Sequence, residues 1–373
     1  MNADFRIDKL VMREISLSLV EPFLTSRGEE RERRLVIVEA HAEGLVGYGE
    51  AAPLSSPVYT EETLESIWHV VSAFLFPLAR ANPEPAAFAR EARAFRRNTM
   101  AKAAVEGALW DLAAKRRHTS LASMLGGVRR RVESGIAVGI QGRVDELLER
   151  IGRALAQGYR RIKIKIKPGW DEEPVAAIRR AFGTVPLMAD ANSAYTVHDI
   201  DRLKRLDRFG LLMIEQPFDP DNLIDHALLQ RSIATPICLD ETLVSYESTR
   251  QALELGCCRI VNLKIGRVGG LSEALKIHAL CRERGVPLWC GGLLESGIGR
   301  GHNLALASLP GFELPGDLSA SSRYFARDVV EPEITLSEGG WIEVPAAPGI
   351  GLAVRLPLLE STTIRRIIFP CGE

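Results

Sequence analysis

Arg160-Arg161-Ile162-Lys163-Ile164-Lys165-Ile166-Lys167, closed by Pro168-Gly169, decides how the rest of the chain reads. Strict period-2 alternation is the pattern of a β-strand, with Ile162, Ile164 and Ile166 on one face and Lys163, Lys165 and Lys167 on the other. Taken alone, such a stretch is an edge strand whose lysine face is solvated, a common device against aggregation. Four further charged residues end apolar, strand-like runs downstream: Asp190 (after Pro186-Leu187-Met188-Ala189), Glu215 (after Leu211-Leu212-Met213-Ile214), Asp240 (after Pro236-Ile237-Cys238-Leu239) and Lys264 (after Ile260-Val261-Asn262-Leu263). From Lys165 onward the separations are 25, 25, 25 and 24 residues, too regular for chance.

Between these runs lie helical patterns over Val144 to Gln157, Glu172 to Ala181, His198 to Leu206, Leu223 to Ser232, Tyr246 to Leu255 and Ser272 to Arg284. Val132 to Ile140 opens the series, Val286 to Cys290 supplies a seventh strand, and Glu313 to Asp317 fits an eighth. Strand-helix units of this length predict an α/β fold, a parallel (β/α)8 barrel over residues 128–319. An open doubly wound sheet would carry a glycine-rich phosphate turn after its first strand, and neither GxGxxG nor GxxxxGK[ST] occurs.

Upstream, residues 1–127 read as a separate α+β domain. Leu10 to Val20, Arg34 to Ala40 and Gly44 to Gly49 are strand-like, with Pro22 to Glu30 expected as a mobile loop. Helices are expected over Glu61 to Leu78, Pro85 to Phe95 and Met100 to Leu125, the last stopped by Gly126-Gly127. Downstream, residues 320–373 lose the alternation and are expected to rejoin the N-terminal domain.

Composition bounds the function. The 373 residues are 46% apolar and 25% charged with net charge −1, which gives no electrostatic case for nucleic acid or an anionic membrane. No uncharged apolar run approaches a bilayer span, and the charged N-terminus lacks the apolar core of a signal peptide, so a cytoplasmic protein is expected. The six cysteines form no CxxC pair, and Cys238 and Cys290 read as packing residues, since neither has a histidine nearby in sequence.

In a parallel barrel both strand faces are buried, so charges pointing inward need partners or a cation. All five ladder residues stand where strands finish, the face that carries barrel active sites. Neighbouring strands are about 4.8 Å apart, so Asp190, Glu215 and Asp240 can meet around one ion. All-oxygen ligation favours Mg²⁺, and Lys165 and Lys264 then flank a metal-bound substrate. Such a metal stabilises the dianion formed when a proton leaves the carbon next to a carboxylate, and Lys163 is expected to lower the pKa of Lys165 so that it acts as base. The competing reading is a set of inter-strand salt bridges with no metal. Asn192 is a turn residue or a substrate hydrogen-bond donor. Arg267 recognises a second carboxylate or is solvated. The glycines around Gly291 and Gly292 bind an anionic group or form a tight turn.

With these residues placed, Lys163-x-Lys165, Asp190-x-Asn192, Glu215-Gln216-Pro217, Asp240-Glu241 and Lys264 resemble the muconate lactonizing enzyme subgroup of the enolase superfamily. IKIKIKPGWD, DANSAYT, NLKIGRVGG, WCGGLLESGIGR and LPGD are similar, more narrowly, to the o-succinylbenzoate synthase / N-succinylamino acid racemase family, and the likeness covers nearly the whole chain. It implies a capping domain made of the N-terminal segment and the C-terminal tail, with a loop near Phe23 to Gly28 closing over the barrel mouth. It also implies Mg²⁺, with Mn²⁺ as a substitute, on Asp190, Glu215 and Asp240. For the synthase, Lys165 removes the α-proton of a succinyl-hydroxycyclohexadiene carboxylate and helps the hydroxyl leave, a step of menaquinone biosynthesis, while Lys264 stabilises the intermediate. For the racemase, the two lysines work on opposite faces of an N-succinyl amino acid. Muconate cycloisomerase, dipeptide epimerase and a non-catalytic carboxylate-binding barrel are further alternatives. Ser134, Lys163, Asn192 and Gly291 to Leu293 would touch this small carboxylate substrate, and a homo-oligomer is expected. Thr242 and Leu293 depart from the serine and methionine of the family's DES and GGM motifs.

Overall fold

The computed structural model describes residues 5–25 and 28–371. Seven parallel strands form one sheet in sequence order: Gly135–Val138, Arg161–Lys165, Leu187–Asp190, Ile214–Glu215, Ile237–Leu239, Ile260–Leu263 and Leu288–Cys290. The lysine strand is internal, paired with Gly135–Val138 on one side and Leu187–Asp190 on the other, so it is not an edge. Ile162, Ile164 and Ile166 are fully buried, while Lys163 and Lys165 turn to the opposite, inner face and Lys167 is exposed. The inner face is layered. Met188, Met213, Cys238, Ile260 and Trp289 form an apolar plug, and Asp190, Glu215 and Asp240, two positions beyond the first three, lie above it.

Glu313 to Asp317, expected as the eighth strand, forms only isolated bridges: Phe312 with Leu288 and Gly316 with Ser134. Gly316 exchanges hydrogen bonds with Glu133 and Gly135, and Asp317 N–H donates to Cys290 O at 3.0 Å. Pro315 inside this run removes one donor and limits a regular ladder. Val132 to Ile140 is two strands rather than one, because Arg131–Glu133 pairs antiparallel with Trp341–Glu343 before the chain turns into Gly135–Val138.

The N-terminal region holds a four-stranded antiparallel sheet in which Thr363–Pro370 pairs with Lys9–Thr25, followed by Gly28–Ala42 and Leu45–Ala51. Within the stretch expected as a loop, described residues pair as strand, with Phe23 opposite Glu30, Leu24 opposite Glu29 and Thr25 opposite Gly28. Ser26, Arg27 and the side chains of residues 23–29, on which the closing-loop expectation falls, lie outside what is described. Helix Thr99–Arg116 packs backbone to backbone on this sheet. A Cβ on Gly47 would lie 2.2 Å from Ala108 O, and one on Gly49 2.0 Å from Ala104 O. Leu10, Met12, Val36 and Val38 meet Leu75, Phe76, Met100 and Leu109 in the core of this region.

Two helices depart from expectation. The first begins at Leu64, capped by Thr63, and passes through one wide turn over Val71–Leu75, which accommodates the missing N–H and bulky ring of Pro77. Met100 to Leu125 is broken at His118, whose φ is 50°, so Ser120 caps a separate helix Leu121–Leu125. Among the described residues no helix is long and apolar enough to cross a membrane.

Candidate active site

Strand register assembles the ladder. Lys165 lies opposite Asp190, and Asp190 opposite Glu215. Lys165 Nζ donates to Asp190 Oδ2 at 2.7 Å and to Asn192 Oδ1 at 2.6 Å. Lys163 Nζ stands 2.5 Å from Asp317 Oδ2, 3.1 Å from Glu215 Oε2 and 3.3 Å from Asp190 Oδ2. Across the mouth, Lys264 Nζ is 2.9 Å from both Asp240 Oδ2 and Tyr59 Oη, and it also faces the Tyr59 ring. Arg267 donates to Asp240 Oδ1 and to the carbonyls of Asn262 and Leu243.

The electrostatics follow from this packing. Burial alone would raise Asp190 and Asp317, but the adjacent lysines, with Arg161 beside Asp317, hold both well below the usual carboxylate range. Glu215 is pushed up to about 7 by burial and by the charge of Asp190. Burial would lower Lys163 and Lys264. It is outweighed by Asp317 and Glu215 around the first, and by Tyr59 and Glu215 around the second, so both amines are raised. Lys163 is thereby held as an ammonium among three carboxylates, Asp190, Glu215 and Asp317.

Five buried carboxyl groups (Asp190, Glu215, Asp240, Glu241, Asp317) thus face five buried cations (Arg161, Lys163, Lys165, Lys264, Arg267). Among the described residues no three histidine, cysteine, aspartate or glutamate groups form a ready metal cage, since amines and a guanidinium stand against the carboxylates. The donor set nonetheless fits a hard dication. Asp190, Glu215 and Asp240 offer only oxygen, and two buried oxygens nearby, Glu241 Oε2 and Asn262 Oδ1, have no hydrogen-bond partner.

A cavity of about 110 Å³ opens above the ladder. Of the residues singled out in the sequence, Lys163, Lys165, Asp190, Asn192, Asp240, Lys264, Gly292 and Leu293 line it. Four expected residues do not. Ser134 is fully buried and spends its hydroxyl on Leu318 O. Arg267 is buried behind Asp240 rather than facing a ligand carboxylate or solvent. Glu215 lies beneath the cavity floor, where Asn262 Nδ2 donates to it at 2.7 Å. Gly291 is a close-approach residue, since a Cβ there would lie 2.2 Å from Asn262 Oδ1 and 2.6 Å from Lys264 Cε.

Several lining residues escaped the sequence reading. Tyr59 and Leu54 arrive from the N-terminal region, and Asp317, Glu241 and Tyr324 from loops. Asp317 carried a signal, being one more charge at the end of a strand-like run. Asn262, which stands off the cavity and donates to Glu215, carried another, sharing a strand face with Lys264 at a spacing of two.

Comparison with known proteins agrees with this geometry. Residues 146–357 match the model of the enolase C-terminal domain-like family, and residues 8–126 match that of the mandelate racemase / muconate lactonizing enzyme N-terminal domain. An o-succinylbenzoate synthase of Geobacillus stearothermophilus is 53% identical over 360 residues, 96% of each chain. An N-succinylamino acid racemase of Thermus thermophilus is 46% identical over 361 residues, 96% of this chain and 98% of the relative. A solved enolase-superfamily structure from Listeria innocua superposes with a TM-score of 0.95 at 41% identity, covering 99% of this chain and 100% of that one. The chain belongs to the enolase superfamily, within its muconate lactonizing enzyme group and the o-succinylbenzoate synthase / N-succinylamino acid racemase family.

Proposed function

We propose that this enzyme is an Mg²⁺-dependent o-succinylbenzoate synthase, dehydrating a succinyl-hydroxycyclohexadiene carboxylate. The observation that carries the reading is the placement of two amines, Lys165 and Lys264, on one small cavity with Asp190 and Asp240 between them. A divalent cation on Asp190, Glu215 and Asp240 supplies positive charge that offsets the charge built up on the substrate carboxylate. Lys165 is the group that takes the α-proton and returns it to the departing hydroxyl. Lys264, anchored by Tyr59 and Asp240, presents its charge from the opposite side. Because the ladder's carboxyl groups already face as many cations, the charge of an added dication is offset by a substrate with two carboxylates, which a succinyl-bearing acid provides.

N-succinylamino acid racemisation is the second reading, favoured by the same pair of amines. Dehydration of the cyclohexadiene substrate and racemisation of N-succinyl amino acids, measured in parallel with and without EDTA, test both. Negligible dehydration beside efficient racemisation rejects the first reading, and activity that survives EDTA rejects the metal. The same reading divides the chain at about residues 127 and 319 into cap, barrel and returning tail. The bridges of Phe312 and Gly316 support Phe312 to Asp317 as the segment that closes the barrel.

A further inference from the structure

Leu293 and Leu294 form one wall of the cavity, and Leu294 has φ of 58°, a left-handed conformation that a branched side chain adopts only at a cost. Such a residue persists where its surroundings over-determine it. Here the determinants come from the N-terminal sheet. Arg33, on strand Gly28–Ala42 and only 1% exposed, donates from Nη2 to Leu293 O at 3.1 Å and to Ala52 O at 3.0 Å. Its Nε points at Leu294 O at 3.5 Å. Glu50, on strand Leu45–Ala51, accepts from the N–H groups of Ser296 and Gly299, both at 2.9 Å, and from the Ser296 hydroxyl. The carbonyls at one end of segment 293–299 and the N–H groups at the other are thus held by two side chains from outside the barrel. The segment's own Glu295 ties Leu293 N–H to Asn303.

We propose that Arg33 and Glu50 are positioning residues that set substrate selectivity, by holding Leu293 and Leu294 against the acyl part of the substrate. The barrel supplies the lysines and carboxylates, whereas the cap fixes the shape of the wall facing them. This deepens the reading of the site as one for succinyl-bearing acids and rests on it. Neither residue touches substrate, so the expected signature is selective. Arg33→Met raises KM for an N-succinyl amino acid at least tenfold while kcat changes less than threefold. The preference for N-succinyl over N-acetyl substrates, as a ratio of kcat/KM, collapses toward one. Arg33→Lys restores part of that ratio, and Glu50→Gln shifts it in the same direction as Arg33→Met.

The second measurement needs no substrate. Amide hydrogen exchange over residues 293–299 accelerates at least tenfold in Arg33→Met and Glu50→Gln, while strand Leu187–Asp190 is unchanged. Equal loss on both acyl groups, or unchanged exchange over 293–299, overturns the proposal. If the wild type turns over neither cyclohexadiene nor N-acyl substrates, the functional reading fails by itself. Exchange over 293–299 then decides whether the two residues hold the wall.

Discussion

Glu106 offers the sharpest test of how burial sets stability here. It sits on helix Thr99–Arg116, 1% exposed, and its Oε1 accepts from Trp110 Nε1 at 2.8 Å and from Ser272 N–H at 2.9 Å, the start of helix Leu271–Arg284. Gly270 makes room for the other oxygen, since a Cβ there would lie 1.6 Å from Glu106 Oε2. Burial pushes the carboxyl up from 4.5 to about 7, although Ser272, Trp110 and Lys276 all favour the ionised form. Between those two values the native state holds more protons than the unfolded chain. Unfolding free energy therefore falls as pH rises, by about 1.4 kcal/mol per pH unit and about 3 kcal/mol in all. The stability is fully present below pH 4.5 and has been lost above pH 7. Glu106→Gln keeps the shape and removes the titration. In urea unfolding with EDTA present, its stability relative to wild type should be about 3 kcal/mol more favourable at pH 8 than at pH 4.5. A difference that stays constant within about 0.5 kcal/mol across this range would refute the assignment.

Four other substitutions probe separate links. Gly49→Ala should cost about 3 kcal/mol or more in urea unfolding, because the new methyl meets the backbone at Ala104 and Ala108, which cannot yield without parting sheet from helix. Gly142→Ala, with its nearest neighbour 3.7 Å away, should stay within about 0.5 kcal/mol of wild type. Ser134→Ala should leave KM within twofold and lower stability by about 1 kcal/mol, since its hydroxyl serves Leu318 O and not the cavity; a large rise in KM would contradict that placement. Asp317→Asn strips the counter-charge from Arg161 and Lys163 and should cost about 3 kcal/mol or more, and a loss below about 1 kcal/mol in thermal unfolding would show that these cations find other partners.

The ladder was legible because each of its residues ends a strand, and strand ends recur at the length of one strand-helix unit. The inward turn of Lys163 and Lys165 followed from period-2 alternation once the strand was known to be internal. Ser134 and Arg267 stand off the cavity because sequence position does not say where a side chain turns: Ser134 serves Leu318 O, and Arg267, on helix Ile265–Val268, lies behind Asp240. Tyr59, Arg33 and Glu50 left no signal, because contacts between a residue near 50 and one near 260 or 295 depend on how two regions dock. The pairing of Phe23 to Thr25 with Gly28 to Glu30 was hidden by turn-prone and polar residues that read as loop.

The ladder also implies an order of assembly as the chain is synthesised. Lys165 meets its partner Asp190 only 25 residues later, so that charge is compensated early. Arg161 waits 156 residues for Asp317, and Lys163 depends on the same carboxylate. Arg161 finds both of its acceptors, Pro315 O and Asp317, in that late segment, whereas Lys163 also meets Asp190 and Glu215 from the neighbouring strands. Burying Arg161 without Asp317 would leave a guanidinium uncompensated in a low-dielectric interior, so the charge pairing ties closure of this face to the docking of the last strand-like segment.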